Sequence, residues 1–199
     1  MARLVLPVLA IIPMTSFGQT RIYNYQVIRN HDRIGFVSII EKTNNQRKTI
    51  QLESNIKAKV VFTISVTTKE KTMLENERIV YAESTKKING NEEVFRKLMS
   101  VGNGYEFLTN SKQVQLDNTI IFNNTVSLFV AEPVHSMIVF SDTFHELLLL
   151  KKISEHTYLL ELPDGNSNTY QYQDGICSEV KVDHKFFTAR IVLDQITLK

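Results

Sequence analysis

The sequence predicts an all-β protein, a single long antiparallel meander curled into an open half-barrel or incomplete barrel with at most one or two short helical turns. Three observations carry that prediction. From Tyr23 onward apolar residues recur at every second position, the period of a strand with one dry face. Turn-forming residues follow at short intervals: Asn30-His31-Asp32, Asn44-Asn45, Asn89-Gly90, Gly102-Asn103-Gly104, Asp164-Gly165 and Asp174-Gly175. Such pairs supply the positive φ angles that tight hairpins require. No long helical pattern separates the strands, which describes a meander rather than alternating strands and helices.

The chain opens differently. Arg3 supplies a short positive region, Leu4–Met14 is apolar, and Ser16 and Gly18 offer small residues before Gln19. That is the order of an export signal cleaved after Gly18. The apolar run is short for a bilayer span of ~20 residues, and Pro7 and Pro13 interrupt it. The expectation is therefore a signal peptide at 1–18 followed by one β domain at 19–199, periplasmic or secreted. No cysteine lies near the cleavage point to carry an acyl chain, so a lipoprotein is not expected.

Within the domain, Ile50, Leu52, Ser54, Ile56 and Ala58 form one face of a strand, and Thr49, Gln51, Glu53, Asn55 and Lys57 form its polar reverse. Val60, Phe62, Ile64 and Val66 alternate with Val61, Thr63, Ser65 and Thr67, and Phe187, Ala189, Ile191 and Leu193 repeat the pattern near the C-terminus. Val126–Ala131, before Glu132-Pro133, predicts a single helical turn that the proline stops. His145–Lys152 predicts a strand, because it runs by a short turn into the apolar Tyr158–Leu162. Tyr23, Tyr25, Tyr158, Tyr170 and Tyr172 share strand parity in pairs, and packing against a sheet face explains them better than a ligand stripe.

Several motifs invite chemistry and fall short. Asp164, Asn166 and Asn168 are spaced like the first ligands of a calcium loop, but Thr169 stands at position six and Gly175 at position twelve, where glycine and a bidentate glutamate belong. These residues predict a turn. His145 begins a zinc-protease-like run in which Leu149 replaces the second histidine, and one ligand does not stand in for two. The five histidines fall singly near turns and strand ends. Asn123-Asn124-Thr125 matches a glycosylation acceptor that matters only on a eukaryotic secretory route. Cys177, the single cysteine, reads as a small strand residue rather than a reactive thiol. No metal, cofactor or catalytic residue is expected. Catalysis would require dispersed carboxylates such as Asp142, Glu146 and Asp183 to converge. The charge is balanced, 23 Lys+Arg against 21 Asp+Glu with a formal net of +2, which gives no support for nucleic-acid binding through a clustered basic surface. With no tryptophan and polar outward faces, an outer-membrane barrel is not expected either.

Four stretches carry a resemblance: "YNYQVIRNHDRIGFVSI" from Tyr23, "TVSLFVAEPVHSMIVFSD" from Thr125, "YLLELPDG" from Tyr158 and "NTYQYQDG" from Asn168. Together they resemble an uncharacterised family of exported bacterial β-proteins, a domain of unknown function. That family is similar in outline to periplasmic lipoprotein-carrier half-barrels. The resemblance implies location and shape and carries over no catalytic residue. The expected role is an exported, non-enzymatic binding module that holds a lipid or other amphiphile on a concave apolar sheet face, with Ile50, Leu52, Phe62 and Ile64 as the greasy wall. The alternative is an envelope interaction or structural protein that docks a partner through sheet edges or loops and binds no small molecule.

Overall fold

The computed structural model describes residues 18–59 and 63–199. Fifteen strands form one sheet: β1 Gln19–Arg29, β2 Asp32–Asn44, β3 Arg47–Lys59, β4 Thr63–Glu75, β5 Arg78–Ile88, β6 Asn91–Val101, β7 Gly104–Thr109, β8 Gln113–Leu116, β9 Asn123–Asn124, β10 Ile138–Ser141, β11 Glu146–Ser154, β12 Thr157–Glu161, β13 Ser167–Gln173, β14 Ile176–His184 and β15 Phe187–Leu198. A single 3-10 turn at Ser127–Phe129 lies within the segment expected to hold one, and β11 confirms a strand after His145. Residues 1–17, and with them most of the expected export signal, lie outside the described residues, as does Phe62.

The sheet order is β8-β7-β6-β5-β4-β3-β2-β1-β15-β14-β13-β12-β11-β10-β9. The chain starts in the middle, walks strand by strand to one edge, crosses to the other edge through residues 117–122, and walks back until β15 pairs with β1. All pairings are antiparallel except the short β9–β10 pair. Among the described residues no ladder joins β8 to β9, so the sheet they form is not closed.

Local chemistry explains the hairpins. Asn30, Asn45, Asn76, Asn89 and Asp174 take φ between 49° and 52° at hairpin corners, the left-handed region that Asn and Asp tolerate best among residues with a side chain. Gly35 answers a different need. A Cβ there would lie 2.2 Å from the Asn55 carbonyl oxygen of β3, so only glycine allows β2 and β3 to approach at that point. Asp164 and Asn166 serve their turn: the Asn166 amide donates to Asp164 Oδ1 at 3.0 Å, Asn166 Nδ2 donates to Oδ2 at 2.6 Å, and the Lys185 amide donates to Asn166 Oδ1 at 2.9 Å.

Residues paired across the ladder share a face, so the registers define the core face. Tyr23 opposes Ile39, Ile39 opposes Leu52, Tyr25 opposes Val37, and Val37 opposes Ser54. On the reverse of β3, Gln51, Glu53, Asn55 and Lys57 are exposed, as their parity requires. The core gathers Tyr23, Tyr25, Ile39, Ile50, Ile79, Leu98, Phe107, Phe140, Leu150, Leu160 and Tyr170 into one cluster.

Candidate functional site

The core face has two halves. At one end, residues 121–130 lie over it, with Ile121, Val126, Leu128, Phe129 and Val130 all buried. Tyrosine hydroxyls hold this cover in place. Tyr25 donates to the carbonyls of Phe129 at 3.0 Å and Cys177 at 2.9 Å, Tyr172 donates to that of Leu128 at 2.9 Å, and Tyr105 accepts from the Ile121 amide at 3.2 Å while donating to the Ile79 carbonyl at 2.7 Å. Tyr158 donates to Glu132 at 2.6 Å, just beyond the cover, and His156 Nδ1 meets the same carboxylate at 3.0 Å. The tyrosines are packing and anchoring residues, as their parity predicts.

At the other end the core face is not covered in this way. Ile56 opposes Val66, Val66 opposes Ile88, Ala58 opposes Ile64, Thr68 opposes Lys86, and Lys86 opposes Val94. Ile56, Ala58, Val66, Thr68, Lys86, Ile88 and Val94 are half-buried, and Ile64 is 40% exposed. This end is an apolar wall that solvent reaches.

A polar belt separates the halves. Leu52 opposes Glu70, Glu70 opposes Ser84, and Ser84 opposes Arg96, in register across β3 to β6. Asp142 and His145, in the turn between β10 and β11, are brought against this belt, although their strands lie near the far edge of the sheet. Asn124 in β9 donates to Thr72 Oγ1 at 2.8 Å and supports Asp142. Burial pushes the Glu70 carboxyl up to about 8, and the nearby Asp142 adds to the rise, against Arg96 and the Ser84 hydroxyl. Burial likewise raises Asp142 to about 6, against the pull of Arg96. His145 is lowered, first by burial and then by Arg96 and Lys112, and its ring packs on Phe107 at 4.4 Å.

The belt is electrically unfinished. Arg96 Nε and His145 Nε2 are sealed from solvent without a hydrogen-bond partner. Among the described side chains, no carboxylate pairs with Arg96 at ion-pair distance. Native folds rarely leave buried polar atoms unanswered.

A second hollow lies at the covered end, about 440 Å³ between the β2–β3 and β4–β5 hairpins and residues 122–136, with Ile50, Leu74 and Val130 in its lining. Most of its charged lining, Glu77 excepted, is already engaged. Arg47 pairs with Glu75 and Lys48 with Glu41, both at 2.9 Å, while Glu132 holds Tyr158 and His156. The belt, with its charge unanswered, is the stronger candidate.

Ile50, Leu52 and Ile64 share the core face as expected, but the structure does not gather them. Ile50 and Leu52 are buried in the core. Ile64 lies eight residues along β4 from Thr72, the partner of Ile50, roughly 27 Å at 3.4 Å per residue. The three carboxylates Asp142, Glu146 and Asp183 do not converge. Glu146 is exposed and Asp183 pairs with Lys181 at 2.8 Å, whereas Asp142 meets Glu70. Sequence reasoning missed Glu70 and Arg96, though parity marked both. Glu70 is in phase with Thr72 and Leu74, and Arg96 with Leu98. Cys177 is fully buried, its thiol pushed up to about 12 by burial. Among the described residues no group of three or more His, Cys, Asp or Glu is arranged to hold a metal ion, and no helix is long and apolar enough to cross a membrane.

A family model described as "Domain of unknown function (DUF6134)" matches residues 25–194. The crystal structure of a beta-barrel-like protein of domain of unknown function DUF1849 from Brucella abortus is similar to the whole fold. The TM-score is 0.55 at 8% identity, over 92% of this chain and 98% of that one. No curated protein matches the chain. At that identity the likeness concerns the fold alone.

Proposed function

We propose that this chain, which belongs to the DUF6134 family over residues 25–194, is an exported, non-enzymatic binding module that holds an amphiphile against the uncovered half of its core face. The single observation that carries the proposal is the pairing on one face of a solvent-reached apolar wall, Ile56, Ile64 and Val66, with a polar belt whose charge is unanswered. An amphiphile presents the same two chemistries at one molecule's length.

A curled sheet, an open half-barrel, suits this role, and two observations support it. A flat sheet of fifteen strands would place β8 and β9 roughly 67 Å apart at ~4.8 Å per strand. The connecting residues 117–122 span at most about 25 Å when extended, so the edges must approach. Side chains also meet across the sheet: Phe107 of β7 and Phe140 of β10 pack edge to face at 5.6 Å. A sheet bent this way has a concave core face. Export fits the same reading, since removing residues 1–18 would leave β1 whole.

Binding of an acyl-chain fluorescent probe tests the proposal. Val66→Asp places a carboxylate on the apolar wall at a half-buried position, with its melting temperature reporting whether the fold holds, and Thr67→Asp places one on the opposite face. The expected result is at least a tenfold loss of affinity for Val66→Asp and none for Thr67→Asp. Equal affinities in both variants and the wild type would overturn it.

A further inference from the structure

The proposed binding module leaves open which head group its belt receives, and the belt's own chemistry narrows the choice. Three side chains on neighbouring strands, Glu70, Ser84 and Arg96, point to the same face in register. Asp142 and His145 arrive from the other side of the sheet. Glu70 and Asp142 would ordinarily answer an arginine by direct pairing, yet neither stands within ion-pair distance of it. Both carboxyls are instead shifted by burial toward their protonated forms. A protonated carboxyl donates a hydrogen bond and no longer competes for a cation. Arg96 acts on both carboxyls only from beyond ion-pair distance, and its buried Nε–H has no acceptor.

A planar guanidinium with an unpartnered Nε–H is matched by a planar or tetrahedral oxyanion. A cationic head would meet Arg96 and be repelled, and a neutral head would leave the charge unanswered in a poorly solvated place. The Ser84 hydroxyl hydrogen-bonds Glu70 beside the same spot, and a protonated carboxyl carries no charge to repel an anion. The apolar wall of Ile56, Val66 and Ile64 begins one row beyond Ser54, Thr68 and Lys86 on the same face, toward the uncovered end.

We infer that the ligand is an amphiphile with an acidic head, a carboxylate or phosphate, that Arg96 binds in the polar belt while the chain lies along Ile56, Val66 and Ile64. The inference rests on the binding role proposed above and adds the head-group chemistry to it.

A fluorescent polyene fatty acid and its methyl ester differ only in the charge at the head, and their affinities for wild type and Arg96→Gln separate the two claims. The acid is expected to bind the wild type at least tenfold more tightly than the ester. Arg96→Gln should erase that advantage, and its circular dichroism and melting temperature report whether the fold is intact. If Arg96→Gln does not fold, Arg96→Lys keeps the charge without the planar fork and should cut the acid's advantage several-fold. Equal binding of acid and ester by the wild type, or an advantage that survives substitution of Arg96, would overturn the inference and leave the binding role standing. Failure of both probes to bind would overturn both.

Discussion

Glu70 and Asp142 hold their protons more tightly in the folded protein than in an unfolded chain, because folding buries both carboxyls near one another. The folded state therefore keeps protons that the unfolded state has released, and stability falls with rising pH across that interval. The contribution is whole below the ordinary carboxylate range and is lost as pH climbs through about 6 for Asp142 and about 8 for Glu70. Each tenfold gain in proton affinity is worth ~1.4 kcal/mol, so ionised Asp142 costs the fold on the order of 3 kcal/mol. Glu70 keeps some contact with water, which screens its charge and softens its own cost. Melting temperature is expected to decline from pH 5 to pH 8.5, and Glu70→Gln, neutral throughout, should flatten the upper part of that decline. A variant whose curve parallels the wild type would show that Glu70 does not titrate in this window. A group retained at such a cost to stability is characteristic of a functional position.

At the scale of elements, the segment over residues 121–130 decides how much of the core face is available. It carries little regular structure of its own, the two-residue β9 and one 3-10 turn, and is fixed instead by tyrosine hydroxyls from distant strands. Tyr25→Phe keeps the ring and its edge-to-face contact with Phe129 at 5.3 Å. It removes the donor to two buried carbonyls, and each unsatisfied buried group costs ~1–3 kcal/mol. The expected outcome is a destabilised protein with faster hydrogen exchange concentrated in residues 121–131; unchanged exchange there would mean the cover is held by packing alone. The strands were legible in the sequence because a hairpin is local. Asn89-Gly90 turns the chain, and the alternation of Ile50, Leu52 and Ser54 with Gln51, Glu53 and Asn55 sets the register. The crossing at residues 117–122 was not legible, since it joins opposite edges of the sheet and no local pattern encodes edge order. The belt fell between these cases. Glu70 and Arg96 share parity with Thr72 and Leu98, but the charges around them hid that signal, and only the edge crossing brings Asp142 and His145 to meet them.

On the scale of the whole molecule, a sheet that starts in its own middle and returns to it leaves two unpaired edges and one face divided between a covered core and an uncovered wall. Such an edge pair invites association with other strands. β8 and the two-residue β9 expose few backbone groups for it, which turns attention from the edges to the face. The central claim is that this face carries an amphiphile in the exported protein. Native mass spectrometry of protein recovered from the exported fraction without detergent tests it most directly. The account predicts a polypeptide beginning at Gln19 and carrying an additional mass that denaturation releases as an acidic amphiphile. A bare polypeptide that also takes up no added fatty acid would contradict it.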